Sequence, residues 1–354
     1  MNDSTPRIGL TADLFNSQCR PMFGDGPFEL LRAAGLTWTQ LPPDGGEIDP
    51  AAVAEFDALL VGGSRLAASS LARDSGRLRI VARNGVGYDA VDADALAERG
   101  ILLTNTPIAV RHPVGAMAMS FLLALSLRMP IKSRLAREGR WAERGDFPGI
   151  GLPGRALGIV GLGGIGRELI RLVAPFGMRL LGADPFVSRD QLAGVPVELM
   201  SLDELMSEAD FVVVACLLAD STRRLINADR LALMKPTAFL INVARGPIVD
   251  EAALIDALQA GRIAGAGLDV FEREPADAAN PLFAMDNVIA TPHSLCWTDQ
   301  LVDGCARGAL QSIVDAIEGR LPEFVVNTSA IGRPRVLRWR AAAPAGGGSG
   351  TAGA

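Results

Sequence analysis

The sequence predicts an α/β protein with two parallel-sheet domains, and three observations lead to this prediction. The chain has 354 residues, and with about 150 residues per domain two domains are expected. Short apolar runs alternate with helical stretches, which is the pattern of βαβ units. The alternation occurs twice along the chain, and the loop 145–154 separates the two series.

The first series predicts a parallel sheet followed by a long helix. We expect strands at 7–10, 57–61, 78–83 and 101–103, and helical turns at 27–34, 51–55 and 93–98. The long helix is expected over 113–139, opened by Pro113. Its first half is apolar nearly all round, and such a helix is buried on every side. The stretch 114–127 is therefore a candidate subunit interface, or else a helix of a monomer core.

The second series predicts another parallel sheet, because its strands are continuously apolar as in a sheet covered on both faces. We expect strands at 156–160, 179–183, 211–215, 238–243, 264–270 and 288–290, and helices at 164–176, 200–208 and 251–260. A final helix is expected over 298–318. Beyond Gly332 the composition turns to Arg, Pro, Ala, Gly and Ser, so a disordered tail is expected over 331–354.

The composition excludes several classes of protein. Hydrophobic residues make up 49% and charged residues 21% of the chain, as in globular proteins and unlike fibrous or disordered ones. The net charge is −6 without a basic block, so we expect neither nucleic acid nor an anionic membrane as partner. The longest apolar stretch, about 14 residues at 114–127, is shorter than the roughly 20 that span a bilayer.

The cysteines and the N-terminus indicate a cytoplasmic protein without metal. Cys19, Cys216, Cys296 and Cys305 show no CxxC spacing, and the N-terminus does not resemble a signal peptide. We therefore expect a reducing compartment, no disulfide framework and no zinc site.

A glycine-rich turn predicts a dinucleotide site. Gly161, Gly163 and Gly166 form a GxGxxG pattern that also includes Gly164 and Ile165, directly after an apolar strand and at the start of a helix. In such a turn the first glycine permits the bend, the second admits the pyrophosphate, and the third lets helix and strand pack closely. The N–H groups at the helix start then face the phosphates.

Asp184 favours NAD over NADP. It ends the next strand, 18 residues after Gly166. A carboxylate at this place accepts hydrogen bonds from the ribose hydroxyls and repels a 2′-phosphate. Arg189 is the only cation nearby and could weaken this preference.

Three strand ends carry candidates for carbonyl chemistry. His293 follows the strand 288–290 and is a natural acid/base near neutral pH, whereas His112 beside Pro113 is better suited to capping or to the surface. Arg245 follows the strand 238–243, where its planar fork could bind a carboxylate. A glutamate after the strand 264–270 could orient the histidine, and spacing does not choose between Glu272 and Glu274.

Four ordered segments make the chain similar to the D-isomer-specific 2-hydroxyacid dehydrogenase family. They are the glycine turn 161–166, Asn-Val-Ala-Arg-Gly at 242–246, Gly-Leu-Asp-Val-Phe-Glu-Arg-Glu-Pro at 267–275 and Thr-Pro-His at 291–293. The resemblance extends from about residue 8 to residue 327. Its implied catalytic set is Arg245 for the substrate carboxylate, Glu274 as the orienting glutamate and His293 as the acid/base.

The resemblance also implies binding residues and a domain plan. The implied cofactor-binding residues are Gly161, Gly163, Gly164, Ile165, Gly166, Asp184, Cys216, Thr222, Ala244 and Asp269, the last near the nicotinamide carboxamide. The implied substrate-binding residues are Asn84, Val86, Gly87 and Arg245. In the family a Rossmann NAD-binding domain is inserted in a flavodoxin-like substrate domain. That plan places the substrate domain at 1–108 and 295–330 and the NAD-binding domain at 109–294.

Three departures from the family pattern are visible. Ala90 stands where an asparagine is usual, and the segment 110–113 lacks a glutamate often found at that helix start. The Pro-Leu pair that is common after the strand ending at residue 215 is replaced by Cys-Leu-Leu at 216–218, although Thr222 remains.

Together these features predict an NAD-dependent enzyme that interconverts a small 2-oxo acid and its D-2-hydroxy acid. We expect a homodimer through 114–127. The alternative is an NAD(H)-sensing, corepressor-like scaffold on the same fold, and the intact set of Arg245, Glu274 and His293 argues against it.

Overall fold

The computed structural model describes residues 5–43, 45–71 and 76–341, and the chain divides into two compact units. The first unit comprises Met1–Val110 with Thr298–Ala354, and the second comprises Arg111–Trp297. These limits differ by two or three residues from the expected limits 109 and 294. Each unit contains one all-parallel sheet with helices between its strands, so the predicted α/β fold class is confirmed.

Strands and helices follow one another along the described residues in the predicted alternation. The strands are β1 (Arg7–Leu10), β2 (Thr37–Gln40), β3 (Ala58–Val61), β4 (Ile80–Arg83), β5 (Leu102–Thr104), β6 (Ala156–Val160), β7 (Arg179–Ala183), β8 (Glu198–Leu199), β9 (Phe211–Val214), β10 (Phe239–Asn242), β11 (Gly265–Leu268) and β12 (Val288–Ala290). The helices are α1 (Glu29–Ala33), α2 (Pro50–Val53), α3 (Ala93–Glu98), α4 (Pro107–Ser126), α5 (Met129–Arg137), α6 (Gly164–Val173), α7 (Leu202–Glu208), α8 (Ala228–Leu233), α9 (Glu251–Gln259), α10 (Asp299–Ile317) and α11 (Pro334–Ala341).

The sheet of the first unit has the order β2-β1-β3-β4-β5 and carries a hydrophobic core on each face. Alternate strand residues feed the two cores, as the period of a strand requires. Leu60 packs with Leu310 of α10 and Leu31 of α1 on one face. Leu59 packs with Val53 of α2 and Leu96 of α3 on the other. Helix α10 therefore belongs to the core of this unit although it lies near the end of the chain.

The sheet of the second unit has the order β12-β11-β10-β9-β6-β7-β8. From β6 the chain first adds β7 and β8 on one side and then returns to add β9 to β12 on the other. The strand order thus reverses between β6 and β9, and in open α/β sheets ligands bind outside the carboxyl ends of the strands at such a reversal. The loops after β6, β9, β10, β11 and β12 all emerge at this edge.

The long helix differs from its prediction in both bounds and burial. It begins at Pro107, so that Pro113 lies inside α4, and it ends at Ser126. Arg128 adopts a left-handed conformation with φ 52°, and α5 then starts with a proline in its first turn. Because Pro130 has no N–H, it cannot continue the α4 hydrogen-bond ladder, and the carbonyl of Ser126 accepts from the N–H of Ile150 instead.

Helix α4 is not buried on every side, contrary to the expectation from its apolar composition. His112, Ala116 and Ser120 are exposed at intervals of four residues and form one stripe on the helix. By length and hydropathy α4 would suffice to cross a bilayer, with half of the relevant window buried. Core helices pass the same criteria.

The expectation of a disordered tail from residue 331 was wrong for its first part. Residues Pro334–Ala341 form α11, in which Val336 and Trp339 are buried in the core of the first unit. These two residues lie three positions apart and so share one face of the helix. The rest of the expected tail, from 342 onward, lies outside the described residues.

Each unit contains elements that were not predicted. They are β2 in the first unit and β8 and α8 in the second. Strand β8 has only two residues, and β2 has an exposed face of threonines, so neither gives the apolar run by which the other strands were predicted.

Candidate active site

The glycine turn after β6 has backbone contacts that exclude larger residues at two of its positions. Gly161 has φ 100°, and a Cβ placed on it would lie 2.7 Å from the Cα of Cys216. A Cβ on Gly166 would lie 2.2 Å from the carbonyl oxygen of Gly161. The first glycine therefore permits the bend against β9, and the third permits α6 to pack on β6.

The middle of the turn is open. Apart from Gly163 and its two chain neighbours, no described residue has an atom within 4 Å of the position that a Cβ on Gly163 would take. Gly163 is the N-cap of α6, and Gly164 and Ile165 are the first two residues of that helix. The first N–H groups of a helix have no acceptor within the helix, so those at the start of α6 are donors that a ligand at this turn could use.

Asp184 closes the turn from the end of β7. Its Oδ2 accepts a hydrogen bond from the N–H of Leu162 at 2.8 Å, and its Oδ1 accepts one from the N–H of Phe186 at 2.9 Å. The carboxylate is half-buried and thereby fixed at the rim of the glycine turn. Arg189 is exposed and lies at the start of a short 3-10 turn beyond it.

The segment after β9 contains Cys216 and Thr222. Burial raises the pKa of the Cys216 thiol to about 11, so this thiol stays neutral near pH 7. The hydroxyl of Thr222 donates to the carbonyl of Leu217 at 2.7 Å and accepts from the N–H of Ala219 at 2.8 Å. Thr222 thus closes the loop that Cys216 begins.

His293 lies after β12 in a strained backbone conformation. Its φ is 52°, which non-glycine residues other than Asn, Asp and His seldom adopt. Just before it, the N–H of Thr291 donates to the carbonyl of Leu268 at 2.9 Å, which extends the pairing of β12 with β11. Strain of this kind persists only where the surroundings fix it, and it concentrates at functional sites.

The structure brings His293 and Glu274 together. The Nδ1 of His293 lies 2.7 Å from Oε2 of Glu274, and Oε1 of Glu274 accepts a hydrogen bond from the N–H of Phe271 at 2.9 Å. Burial opposes ionisation of Glu274, but the hydrogen bonds from His293 and Phe271 and the nearby charge of Arg245 prevail and lower its pKa. An ionised carboxylate only accepts hydrogen bonds, so Nδ1 of His293 carries the proton.

Glu272, the other candidate after β11, pairs with Arg224 and not with His293. Its Oε1 accepts a hydrogen bond from Arg224 at 3.1 Å, and its N–H donates to Glu251 at 2.8 Å. The geometry therefore selects Glu274 as the partner of His293.

Arg245 lies at the end of β10, in a turn that its neighbours hold in place. The side chain of Asn242 donates to the carbonyl of Arg245 at 2.9 Å and accepts from the N–H of Ala244 at 3.1 Å. One guanidinium nitrogen of Arg245 donates to the carbonyl of Ala244 at 2.8 Å. Since Arg245 also lowers the pKa of Glu274, it lies near the His293–Glu274 pair.

Gly246 is the residue that allows these two turns to meet. A Cβ on it would lie 1.8 Å from the carbonyl carbon and oxygen of Phe271. No other residue fits between the turn after β10 and the turn after β11. In the sequence this glycine is visible only as the last residue of the Asn-Val-Ala-Arg-Gly segment.

Asp269 is buried, and only one of its two carboxylate oxygens accepts hydrogen bonds from the described residues. Its Oδ1 accepts hydrogen bonds from the hydroxyl of Thr291 at 2.6 Å and from the N–H groups of Ser294 and Leu295 at 3.1 and 3.2 Å. Its Oδ2 is buried without a partner among the described residues. Thr291, which the sequence analysis did not single out, thus ties the His293 loop to Asp269.

The predicted substrate loop lies in the first unit. The side chain of Asn105 donates to the carbonyl of Val86 at 2.8 Å, and the hydroxyl of Thr106 accepts from the N–H of Gly85 at 2.9 Å. Within the described part of the chain the N–H groups of Val86 and Gly87 donate no hydrogen bond. The Oδ1 atom of Asn84 is buried and likewise has no partner there.

Comparison with known proteins assigns the family. Residues 119–294 match the family described as D-isomer specific 2-hydroxyacid dehydrogenase, NAD binding domain. The glyoxylate reductase of Thermococcus onnurineus is 41% identical over 265 residues, which cover 72% of this chain and 78% of that protein. The chain belongs to the D-isomer-specific 2-hydroxyacid dehydrogenase family.

Other members of the D-isomer-specific 2-hydroxyacid dehydrogenase family differ in length and cofactor. The D-3-phosphoglycerate dehydrogenase of Methanocaldococcus jannaschii is 36% identical over 276 residues, 78% of this chain but only 52% of that protein. The chain thus spans about half the length of such curated relatives. A crystal structure of the NADPH-dependent glyoxylate/hydroxypyruvate reductase of Sinorhizobium meliloti with NADP and malonate has a TM-score of 0.78 and 31% identity, covering 92% of this chain and 98% of that one.

Proposed function

We propose that the protein uses NAD(H) to interconvert a small 2-oxo acid and its D-2-hydroxy acid, with His293 as the acid/base. The observation that carries this proposal is the 2.7 Å contact between His293 Nδ1 and Glu274 Oε2. It occurs at the carboxyl edge of a parallel sheet, beside the strand end that carries Arg245. Such an edge is where α/β proteins bind their ligands.

The residues present fit a nicotinamide dinucleotide. The open space at Gly163 suits the pyrophosphate, because backbone N–H groups can approach it there. The fixed carboxylate of Asp184 suits the adenosine ribose. The unpartnered Oδ2 of Asp269 suits a buried N–H donor, as the carboxamide of the nicotinamide would provide. When bound, this cofactor supplies or accepts the hydride at C2 of the substrate.

The proton transfer is assigned to the other ring nitrogen of His293. Because ionised Glu274 holds the proton on Nδ1, Nε2 is the nitrogen that exchanges a proton with the substrate oxygen. In reduction, Nε2–H donates its proton to the oxygen that gains electron density as C2 receives the hydride. In oxidation, Nε2 accepts the hydroxyl proton. Glu274 keeps the ring oriented in both directions and stabilises its charged form.

Arg245 of the second unit is assigned to the substrate carboxylate, and the loop of Asn84, Val86 and Gly87 is proposed as the substrate-binding loop of the first unit. A guanidinium binds a carboxylate through two parallel hydrogen bonds. The N–H groups of Val86 and Gly87 lack acceptors among the described residues and are donors of the kind that a carboxylate accepts from.

A panel of 2-oxo acids tests this function. We would follow NADH oxidation with glyoxylate, hydroxypyruvate, pyruvate, phenylpyruvate and 2-oxoglutarate, using the wild type and His293→Asn. We expect turnover with at least one acid and a loss of about 10²- to 10⁴-fold in the variant, the usual contribution of general acid–base catalysis. NADH binding without any turnover would instead favour the NAD(H)-sensing scaffold.

A parallel titration tests the preference for NAD. We propose that NADH is preferred over NADPH, because the carboxylate of Asp184 repels a 2′-phosphate. Asp184→Ser should weaken NADH binding and narrow the difference between the two cofactors. Equal binding of both cofactors by the wild type would contradict the preference.

We also propose a cytoplasmic homodimer that forms through the predicted interface 114–127. Ala116 and Ser120 form a flat exposed stripe on α4, and Leu127 at its end is 50% exposed. Light scattering at micromolar concentration should give twice the chain mass, and Leu127→Glu should lower it. Leu233→Glu, at a similarly exposed leucine on α8, is the control that should leave the mass unchanged. A monomer mass for the wild type would contradict this assembly.

A further inference from the structure

An arginine of α4 lies against the start of α6. A Cβ placed on Gly164, the first residue of α6, would lie 2.6 Å from Nε of Arg111 and 3.1 and 3.2 Å from its Cδ and Cγ. The Arg111 side chain therefore runs across the face of Gly164 and occupies the space that a side chain at that position would take. The two residues are 53 positions apart and meet only because α4 packs on α6.

The packing that fixes Arg111 is close and specific. The next residue, His112, contacts Oε1 of Glu168 through Nδ1 at 2.7 Å. One turn further along α4, a Cβ on Gly115 would lie 3.1 Å from Cγ of Glu168 and 3.5 Å from the backbone nitrogen of Leu169. The backbone of α4 is thus held against the first turns of α6, and the position of Arg111 follows from it.

The charge of Arg111 is unfavourable where it lies unless an anion is present. The N-terminus of a helix carries a partial positive charge, and cations are destabilising there. Within the described residues Arg111 makes neither a hydrogen bond nor an ion pair. Glu168, the acid on this part of α6, already binds Arg171 at 2.7 Å as well as His112. These contacts, that of Arg171 foremost, hold the pKa of Glu168 at about 2.

The space beside Arg111 is the open middle of the glycine turn. Gly163 precedes Gly164, and beyond its chain neighbours no described residue has an atom within 4 Å of its Cβ position. An anion bound at the start of α6 would lie near its backbone N–H groups and near Arg111, whose Nε is 2.6 Å from the Cβ position of Gly164.

We propose that Arg111 binds the pyrophosphate of the dinucleotide and supplies a side-chain cation at that subsite. This inference rests on the proposed function, in that it takes NAD(H) as the ligand. The planar guanidinium offers paired donors that match phosphate oxygens. Gly164 has no side chain that could contact the ligand at the first position of α6, and the Arg111 side chain occupies that place instead.

The test is a titration of the protein with NADH in the absence of substrate, followed by nicotinamide fluorescence at several salt concentrations. Arg111→Gln should weaken binding about tenfold, as expected for the loss of a charge-assisted hydrogen bond, and should make binding less dependent on salt. Arg111→Lys should retain part of the affinity. Arg262→Gln is the matched control: Arg262 is also an exposed arginine of the second unit, but it precedes β11 at the opposite edge of the sheet.

Thermal unfolding separates ligand binding from a structural role. Without NADH, Arg111→Gln should unfold at the same temperature as the wild type or higher, because the variant removes a cation from the positive end of α6. With NADH, it should be stabilised less than the wild type.

Two outcomes would overturn the inference. One is wild-type NADH affinity and salt dependence in Arg111→Gln, and the other is a loss of apo stability that alone accounts for weaker binding. Failure of the wild type itself to bind NADH would contradict the proposed function instead.

Discussion

Two separate features restrict which residue can occupy position 293: the backbone conformation and the contact of the side chain. The left-handed φ of 52° favours Asn, Asp and His among non-glycine residues, and the contact with Glu274 requires a ring nitrogen. Histidine meets both demands. When a variant removes the ring, its effect is limited to the chemistry only where the new residue tolerates the left-handed backbone.

The first prediction compares His293→Asn with His293→Ala. Both variants should lose turnover, but only alanine should lose stability, by about 1 kcal/mol, because it lacks the short polar side chain whose local hydrogen bonds let Asn adopt a left-handed backbone. Urea unfolding of the two variants measures the difference. Equal stabilities would show that the backbone relaxes when the ring is removed.

The second prediction concerns the pH dependence of Glu274→Gln. The folded-state pKa of Glu274 lies below its usual value of 4.5, so the carboxylate is fully ionised at neutral pH and becomes protonated only as pH falls through that lowered pKa. The ratio of wild-type to variant kcat/KM should therefore shrink as pH falls through that lowered pKa, because both proteins then carry an uncharged side chain at position 274. A ratio that does not change down to the limit of folding would argue against an orienting role.

The same site shows which residues sequence reasoning can assign. His293 and Arg245 follow apolar strands, so their location at one sheet edge was predictable. The choice between Glu272 and Glu274 was not, because both lie in the same loop and only packing turns one toward Arg224 and the other toward His293. The role of Arg111 was not predictable either, because only packing brings it to Gly164 and no local sequence pattern relates the two residues.

Among the elements, the turn from β6 into α6 contains two glycines with different tasks. Gly166 is confined by the backbone, whereas Gly163 faces open space. One position therefore serves the fold and the other leaves room for a ligand.

The third prediction follows from this difference. Gly166→Ala should destabilise the protein by about 1–3 kcal/mol, the usual effect of overpacking, since the backbone of Gly161 cannot move aside easily. Gly163→Ala should leave stability unchanged and weaken NADH binding. Thermal unfolding and NADH titration of the two variants form a matched pair. Loss of stability in Gly163→Ala would contradict the separation of roles.

Most elements were predictable because short apolar runs alternate with helical stretches along the chain. The exceptions have a physical cause. The break between α4 and α5 depends on the left-handed Arg128 and on Pro130 rather than on any loss of apolar residues. Helix α11 is rich in arginine, and its two buried residues are too few to stand out from a polar composition.

For the whole molecule, α11 returns the chain to the core of the first unit. The fourth prediction compares a chain that ends at Ala341 with one that ends at Arg333. The shorter chain loses the buried side chains of Val336 and Trp339, which at about 1.5–3 kcal/mol for each fully buried large side chain should lower the melting temperature measurably. Equal melting temperatures would mean that α11 contributes no net stability.

The ends of the two sheets determine how copies of the protein can meet. The outermost strands β2, β5, β8 and β12 have four, three, two and three residues. The segment 324–327 covers β5, with the N–H of Val326 bound to the carbonyl of Leu103 at 2.8 Å. Strands this short offer little backbone for pairing with another chain. Any association between copies must therefore rely on helices and loops, and crowded solutions should not convert these sheets into extended fibrils.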